Sequence, residues 1–555
     1  MRKRVGGDGK KGANLLIIGE SPGENEEEQG KPFVGYAGQK LFECLNRYGV
    51  YRQDVYLMNL SEYRPAGNKF ENCSEEDIRD GLSKIHEYIH NYRPNCILSL
   101  GEYPLRYLTG RYSISAHRGS ILRCNIDNEL KVCASYHPSF ILRSPANLFL
   151  FDFDVKRAIE QAKSPLFPYR DRNYVVVDSS SIELASQEIL KQEIISVDIE
   201  TTKKDKSIIC VGFGVSPDKA YSFPWDQLSY VYIKEILESN NTKIFHYGYG
   251  FDIEILHLHG IEVSGRIEDT YFMTHSLDPL LPKGLDFLTS VHTLEPYYKS
   301  QGRSTLPGDT KDWSDKVNRL DVYQYNGKDC CVTYEIFLVM KEFLCENDID
   351  TYEFEIEDAR LAQKISRTGL PFDEEAREKL KDAIILKWKK AQLLLNSVVG
   401  FDLNVGSYTQ VPKLLYDIYK LPEKTNKDGK RTADDDAIVE LIGFIEGRIE
   451  SIRKEETKNE WRLKQMVLIF IRNIRSWRKL LSSYMNVELV NGRVLSMYNA
   501  AGTGFGRWSC AMYVDGTGIN SQTWPRGSFE IPESTENLDE FKSKIAKEFT
   551  DDTEI

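Results

Sequence analysis

No two of the ten cysteines form a CxxC pair. Their scatter excludes a zinc ribbon, gives no sign of a disulfide framework and fits a reducing compartment. No run of about 18 apolar residues exists, so no membrane-spanning helix is predicted. An apolar h-region is also missing after the basic start MRKRVGGDGKKG, which therefore is not a signal peptide and reads as a flexible basic tail over residues 1–13. Nor is there an excess of positive charge: Lys+Arg 72 against Asp+Glu 84 leaves a net charge of −12. That rules out a uniformly basic coat but not nucleic acid, because local clusters and metal-binding carboxylates decide that question. There is no internal repeat and no long low-complexity tract. What is present is 555 residues, 41% of them apolar. That is enough for real cores, with a length prior of roughly three to five domains.

Three stretches differ in pattern. Over residues 14–165 the short apolar runs NLLIIG, DVYLMNL, NCILSLG and KVCASY alternate with helical segments, which predicts a parallel α/β sheet. A Pro-bearing linker, SPLFPYRDR, leads to a second α/β block over 172–348 that opens with the strand IISVDIE. From 349 to 555 the chain turns helical, with EIEDARLAQKISRTG and WRLKQMVLIFIRNIRSWRKLL as amphipathic runs, and then Gly-rich and polar.

In the first block the strand NLLIIG runs into GESPGENEEEQGKPFVGYAGQKL. Open α/β sheets place ligands at such carboxyl ends. The loop offers Glu20, Ser21 and Phe33, and two later strand ends add Asn59 and His137. An Asn amide can pair with a base edge, an aromatic ring can stack on it, and a His can donate to a carbonyl oxygen, a set suited to a flipped nucleobase. A strand-end His and an acidic loop are each, singly, more often structural. Together, GESPG…GKPFVGYAG and HPS resemble the uracil-DNA glycosylase superfamily, most closely its family 4, over about 150 residues. The resemblance implies that Phe33 stacks on uracil, Asn59 reads its edge and His137 stabilises the departing base, with Glu20 and Glu26 as candidates for polarising the water. Ser21 stands where other families use an Asp. Family 4 enzymes hold an iron–sulfur cluster on four cysteines, two of them in a CxxC before the first strand. Here that segment has no cysteine, Tyr63 precedes Arg64-Pro65, and Cys73, Cys96 and Cys124 do not rebuild the set. No iron–sulfur cluster is predicted. An active cluster-free glycosylase and a uracil-sensing domain both remain open.

In the second block Asp198 and Glu200 lie two apart on an apolar strand and so share a face. Two acids side by side are costly to bury without a cation. Asp252 heads a helix in FHYGYGFDIEIL, and Tyr325 and Asp329 sit at i and i+4 in VYQYNGKDCC. Four acids and a Tyr from separate segments predict a two-metal phosphoryl-transfer site for Mg²⁺ or Mn²⁺, held by Asp198, Glu200, Asp252 and Asp329, with Tyr325 orienting or deprotonating the water. The pattern DIE…FD…YxxxD resembles the DEDDy 3′–5′ exonucleases, specifically the proofreading domain of family A DNA polymerases, and implies an RNase H-like fold. Asp269, in the connecting segment EDTYFMTHSLDP, reads as a helix-capping or structural acid rather than a ligand. Gly248 replaces the usual Asn before the second motif.

In the third block LNVGSYTQVPKLLYDIYKLPEKT…RTADDDAIVEL resembles the thumb of family A polymerases. From Arg453 to Lys479 nine cations (Arg453, Lys454, Lys458, Arg462, Lys464, Arg472, Arg475, Arg478, Lys479) face acids at 455, 456 and 460. On a thumb such a bias grips duplex phosphates, while a charge run by itself reads as a solvated face. YNAAGTGFGRWSCAMYVDGTGINSQTWPRG resembles a family A element, which implies that Arg507, Asn520 and Gln522, with Pro525 closing the turn, contact template–primer DNA. A DYSxxELR-type palm strand, a fingers helix and an HDE-type turn do not occur in the 555 residues.

The expected architecture is thus a uracil-DNA glycosylase-like α/β domain, an exonuclease domain and a mainly helical, incomplete polymerase region. The expected function is DNA replication or repair in a bacteriophage or a bacterium, in the bacterial or infected-cell cytoplasm. A second chain would carry the palm and fingers of a split polymerase; a truncated polymerase is the other reading left open. The alternative is a non-catalytic DNA-binding and processivity subunit with a uracil-sensing pocket.

Overall fold

The four apolar runs of the first block become four parallel, fully buried strands. The computed structural model describes residues 3–168, 170–299, 318–344 and 346–523. Pro525 and the acidic end of the chain lie outside the described residues. Two units are distinct: one runs to Asp358 and includes Thr503–Gly506, and the other comprises Ala359–Gly502 and resumes at Arg507.

The first sheet of the first unit contains β1 (Asp8–Gly9), β2 (Leu15–Gly19), β3 (Tyr56–Asn59), β4 (Cys96–Leu100), β5 (Ile121–Arg123) and β6 (Lys131–Ser135). Their order is β1-β3-β2-β4-β6-β5. The central β3-β2-β4-β6 are parallel, and β1 and β5 add antiparallel edges. Leu16, Ile18, Ile97 and Val132 pack on Ile85 and Tyr88 of the helix Glu75–Tyr92. Ile17, Leu57, Leu98 and Cys133 pack on Leu41 and Leu45 of Tyr36–Arg47 and on Phe151 and Val155 of Leu148–Ala162. Helices on both faces explain why these strands read as continuous apolar runs rather than alternating ones.

The expected flexible tail is corrected by the structure. Its described part is built into the fold: Val5 is buried and its N–H donates to Glu62 O, β1 pairs with β3, and Arg4 forms an ion pair with Glu62 at 2.5 Å. A two-residue strand among glycines and lysines leaves no periodic signal.

The second sheet contains β7 (Asn173–Val176), β8 (Ile194–Thr201), β9 (Ile208–Ser216), β10 (Lys219–Pro224), β11 (Thr242–Phe245) and β12 (Ile267–Asp269), in the order β12-β11-β8-β9-β10-β7. The helix Arg319–Phe343 lies against it. Gly212 and Gly214 on β9 permit this approach: a Cβ on the first would strike Asn326 and Cys330 of the helix, and one on the second would strike Ser196. Ser196 Oγ donates to Cys330 O at 2.7 Å, fastening strand to helix.

In the second unit the helices Glu374–Val399, Asp435–Ser451 and Glu455–Leu480 share a core that includes Ile384, Leu395, Ile438, Leu441, Leu468, Ile471 and Ile474. The first two helices are N-capped by Asp373 and Asp434, whose carboxylates accept from Ala376 N and Ala437 N. Among the described residues no helix is long and apolar enough to cross a membrane.

Candidate active sites

The carboxyl ends of the parallel strands gather the residues expected of the first site. Glu20 follows β2, Asn59 ends β3, Gly101 follows β4 and His137 stands two residues beyond β6. A Cβ on Gly19 would lie 2.6 Å from both Asn59 Oδ1 and Phe33 Cζ, so the amide and the ring edge meet over this glycine. Phe33 is buried with φ of 55°, a left-handed conformation rare for an aromatic residue, and this backbone turns the ring inward. The vacant side-chain space of Gly101 is bordered by Glu20 Oε1 and by His137 Cβ. Glu20 and His137 therefore flank one point, with Asn59 at the end of the neighbouring strand β3 and Phe33 on the loop that follows β2. Ser21 follows Glu20, half-buried in the loop.

His137 caps the helix Pro138–Arg143, its Nδ1 accepting from Ser139 N at 3.2 Å. An accepting Nδ1 places the ring proton on Nε2. Burial holds the imidazole pKa down at about 4, so the ring is neutral near pH 7 and Nε2–H is a donor. Burial pushes the Glu20 carboxyl up to about 7. The other candidate for the water, Glu26, is engaged otherwise: its carboxylate accepts from Gly23 N, Val34 N and Gly35 N at 3.0, 3.1 and 2.8 Å. It anchors the loop that presents Phe33.

The iron–sulfur cluster of family 4 enzymes finds no fitting donor set. Tyr63 offers a phenol where a thiolate is needed, and among the described residues no three cysteines come together as ligands.

The second site forms on the other sheet. Asp198, Glu200 and Asp329 each offer a carboxylate oxygen, and these lie within 4.8 Å of one another. Hard oxygen donors in such a group suit Mg²⁺ or Mn²⁺. Asp252 is beside this trio rather than in it: its Oδ1 accepts from Ile199 N, between the two strand acids, at 3.1 Å. Burial first, then the nearby Asp269 and Glu200, pushes its carboxyl up to about 8. Tyr325 is buried one helical turn before Asp329, and burial together with Asp329 raises its phenol far above the usual range. Burial thus favours the neutral phenol at this position. Asp269 caps the helix Thr270–Leu277 and also accepts from Tyr247 N and Gly248 N, both at 2.8 Å.

Three features lay outside the sequence reading. Asn326 Nδ2 donates to Asp198 O and Oδ2 at 3.0 and 2.9 Å, fixing that carboxylate. Tyr298 and Lys299 both hold Asp329. A cleft of about 650 Å³ opens beside Asp252, lined by His246, Tyr247, Phe251, Tyr271 and Lys283 among others. Of these features the sequence offered a signal only for the cleft, in the aromatic density of FHYGYGFD.

The basic helix of the second unit is partly neutralised from within. Arg462 pairs with Glu455, Lys464 with Glu460 and Arg472 with Asp435, while Arg475 donates to Val405 O and Ala433 O. Arg507 is exposed. Next to it, Trp508 O accepts from Gln522 Nε2 at 3.1 Å, and Asn520 Oδ1 accepts from Gln522 N at 3.1 Å, so the turn of Asn520 and Gln522 is tied to the residue that follows Arg507.

Residues 7–162 match the family model of the uracil-DNA glycosylase superfamily. A type-4 uracil-DNA glycosylase of Pyrobaculum aerophilum is 35% identical over 151 residues, covering 26% of this chain and 76% of that protein. The chain belongs to the uracil-DNA glycosylase superfamily. A second type-4 glycosylase, from Saccharolobus solfataricus, is 33% identical over 170 residues, 29% of this chain and 78% of that one. The glycosylase domain is followed by a 3′–5′ exonuclease domain, whose family model matches residues 174–344. A DNA polymerase of Bacillus phage SP01 is 24% identical over 214 residues, 37% of this chain, which spans about a quarter of that polymerase (23%).

Proposed function

We propose that the protein processes DNA in two ways: it removes uracil at the first site and hydrolyses 3′ ends at the second. The observation carrying the nuclease reading is the convergence of Asp198, Glu200 and Asp329 within 4.8 Å. These acids with Asp252 would hold two Mg²⁺ or Mn²⁺ ions, which supply Lewis acidity toward a phosphodiester and an activated water. The chain's own part is positional. Asn326 fixes Asp198, neutral Tyr325 orients the water, and the aromatic cleft beside Asp252 stacks the terminal bases of a frayed strand. At the first site Phe33 stacks on a flipped uracil, Asn59 pairs with its edge, and Nε2–H of His137 donates to the base carbonyl as the bond to the sugar breaks. Ionised Glu20, facing His137, orients the water. The division of labour follows the expected limits 14–165, 172–348 and 349–555, with the first extended at its start to take in β1 and the segment that carries it.

The test is digestion of a mismatched primer with Mg²⁺, with Asp198→Ala as comparison. The expected loss is on the order of a thousandfold, and an undigested primer with the wild type overturns the reading. A uracil-bearing strand offered in parallel should yield abasic sites; binding without cleavage would instead support a uracil sensor.

A second reading is favoured by the turn of Asn520 and Gln522, which the bond from Gln522 to Trp508 O ties to the position next to Arg507. The helical unit would act as the thumb of a family A polymerase, contacting primer–template DNA together with a chain that supplies palm and fingers. Primer extension by the mixed chains, lost in Arg507→Ala, is the expected result.

A further inference from the structure

Both oxygens of Asp329 are held by the segment just before residue 300. Tyr298 O–H donates to Oδ1 at 2.6 Å, and Lys299 Nζ to Oδ2 at 2.5 Å. Lys299 is buried at 6% exposure, and its ammonium lies 5.0 Å from the centre of the Tyr325 ring. Burying an ammonium is expensive unless an anion compensates. The anion given to this one is a member of the carboxylate trio.

The position of Lys299 is fixed from several sides. Tyr297 N donates to Ser120 Oγ of the glycosylase domain at 3.1 Å, and the Tyr297 ring meets His117 edge-on at 5.0 Å. Glu295 pairs with Arg172 and with Lys328 at 3.2 and 3.0 Å. The strap from 295 to 299 is thus held at its start by Arg172 and Lys328, in its middle by Ser120 and His117 of the glycosylase domain, and at its end by Asp329.

We propose that Lys299 is a built-in counter-cation that competes with the divalent metal for Asp329. The ammonium holds the carboxylate in place and neutralises part of its charge, and metal binding requires it to leave Oδ2. The result is a threshold: nuclease activity awaits a metal concentration high enough to displace the lysine. This rests on the exonuclease reading above. If Oδ2 is released by Lys299 in about one molecule in ten, apparent metal affinity is lowered about tenfold.

The test is Mn²⁺ titration of the full chain, with free ion read by electron paramagnetic resonance. Lys299→Met should tighten binding about tenfold. Lys328→Met removes the same charge next to Asp329 in sequence but from a side chain paired with Glu295, and should change affinity far less. Equal gains in both variants reduce the effect to the general field and overturn the proposal, as does unchanged or weaker binding in Lys299→Met. A measurement on the wild type guards against misfolding of the variant: Mn²⁺ should increase reductive methylation of Lys299, read by peptide mass, and no increase counts against displacement. If wild type and Asp198→Ala bind Mn²⁺ equally weakly, the exonuclease reading falls and takes this inference with it.

Discussion

Glu20 carries a free-energy cost that its proposed role requires. Burial moves its carboxyl from the ordinary 4.5 to about 7. The folded protein therefore binds this proton more tightly than the unfolded chain does. Its contribution to stability is complete below about 4.5 and is lost as pH rises through about 7. At about 1.4 kcal/mol per pH unit, the interval between 4.5 and about 7 corresponds to about 3 kcal/mol, an upper bound because the side chain is only partly enclosed. Glu20→Gln removes the charge and keeps an acceptor for the backbone N–H groups of Glu102 and Tyr103 that bond to the carboxylate. Hydrogen exchange of the buried β2 and β4 amides reads the local stability. Near pH 4 the variant should match the wild type, and near pH 8 it should be more stable by up to about 3 kcal/mol. The same variant should lose uracil excision. Wild-type excision should rise with pH through about 7, with His137 neutral throughout because its pKa is about 4. A variant less stable than wild type near pH 8, or excision that falls as pH rises over this range, refutes the reasoning.

Asn326→Ala removes the amide that donates to the Asp198 carboxylate and should lower Mn²⁺ affinity or nuclease rate about 10–100-fold, while uracil excision is unchanged. Gly212→Ala drives a methyl into Asn326 and Cys330; urea unfolding should show a loss of about 1–3 kcal/mol. Chelation with EDTA should stop primer digestion and leave abasic-site formation intact, since the excision proposed for the first site draws only on Glu20, Phe33, Asn59 and His137; parallel loss of both would contradict that division. Asp154→Ala leaves Arg118, whose side chain is 4% exposed, buried beside a missing partner; calorimetry should show a loss of about 3–5 kcal/mol.

The legible parts of the molecule were those governed by a short period. Alternation put Asp198 and Glu200 on one face, and helical spacing put Tyr325 near Asp329. The four parallel strands were visible because burial on both faces makes them uniformly apolar. What escaped lacks a period. Lys299 reaches Asp329 from a strap pinned by long-range contacts, and nothing in EPYYK marks its direction. Asn326 adjoins Tyr325 in sequence, but its value depends on Gly212, more than 100 positions away, leaving room for the amide. Glu26 was grouped with Glu20 by proximity, yet a carboxylate on the first turn of a short helix finds backbone donors nearer than any substrate. Asp252 matched its motif, but its bond to Ile199 N sets it apart from the trio.

The junction of glycosylase and exonuclease domains is built from charges that stability alone does not favour. Arg118 grips Asp154 and donates to Ser290 Oγ at 2.9 Å. Arg157 donates to Ser290 O and Val291 O at 2.7 and 3.1 Å. Burial raises the Asp154 carboxyl and lowers the Arg157 guanidinium, so desolvation outweighs attraction at both groups. Apolar side chains of similar volume would bury at less cost. Arginine adds direction. Ser290 and Val291 lie in the last turn of the helix Leu285–His292, whose carbonyls lack partners within the helix and favour a cation. The glycosylase domain thus caps a helix of its neighbour, and each planar fork accepts one orientation of that helix. The strap that delivers Lys299 to Asp329 begins just after this helix. Fixing the helix end from the glycosylase side therefore also fixes where the counter-cation enters the nuclease site, which an apolar seam, free to slide, would not do.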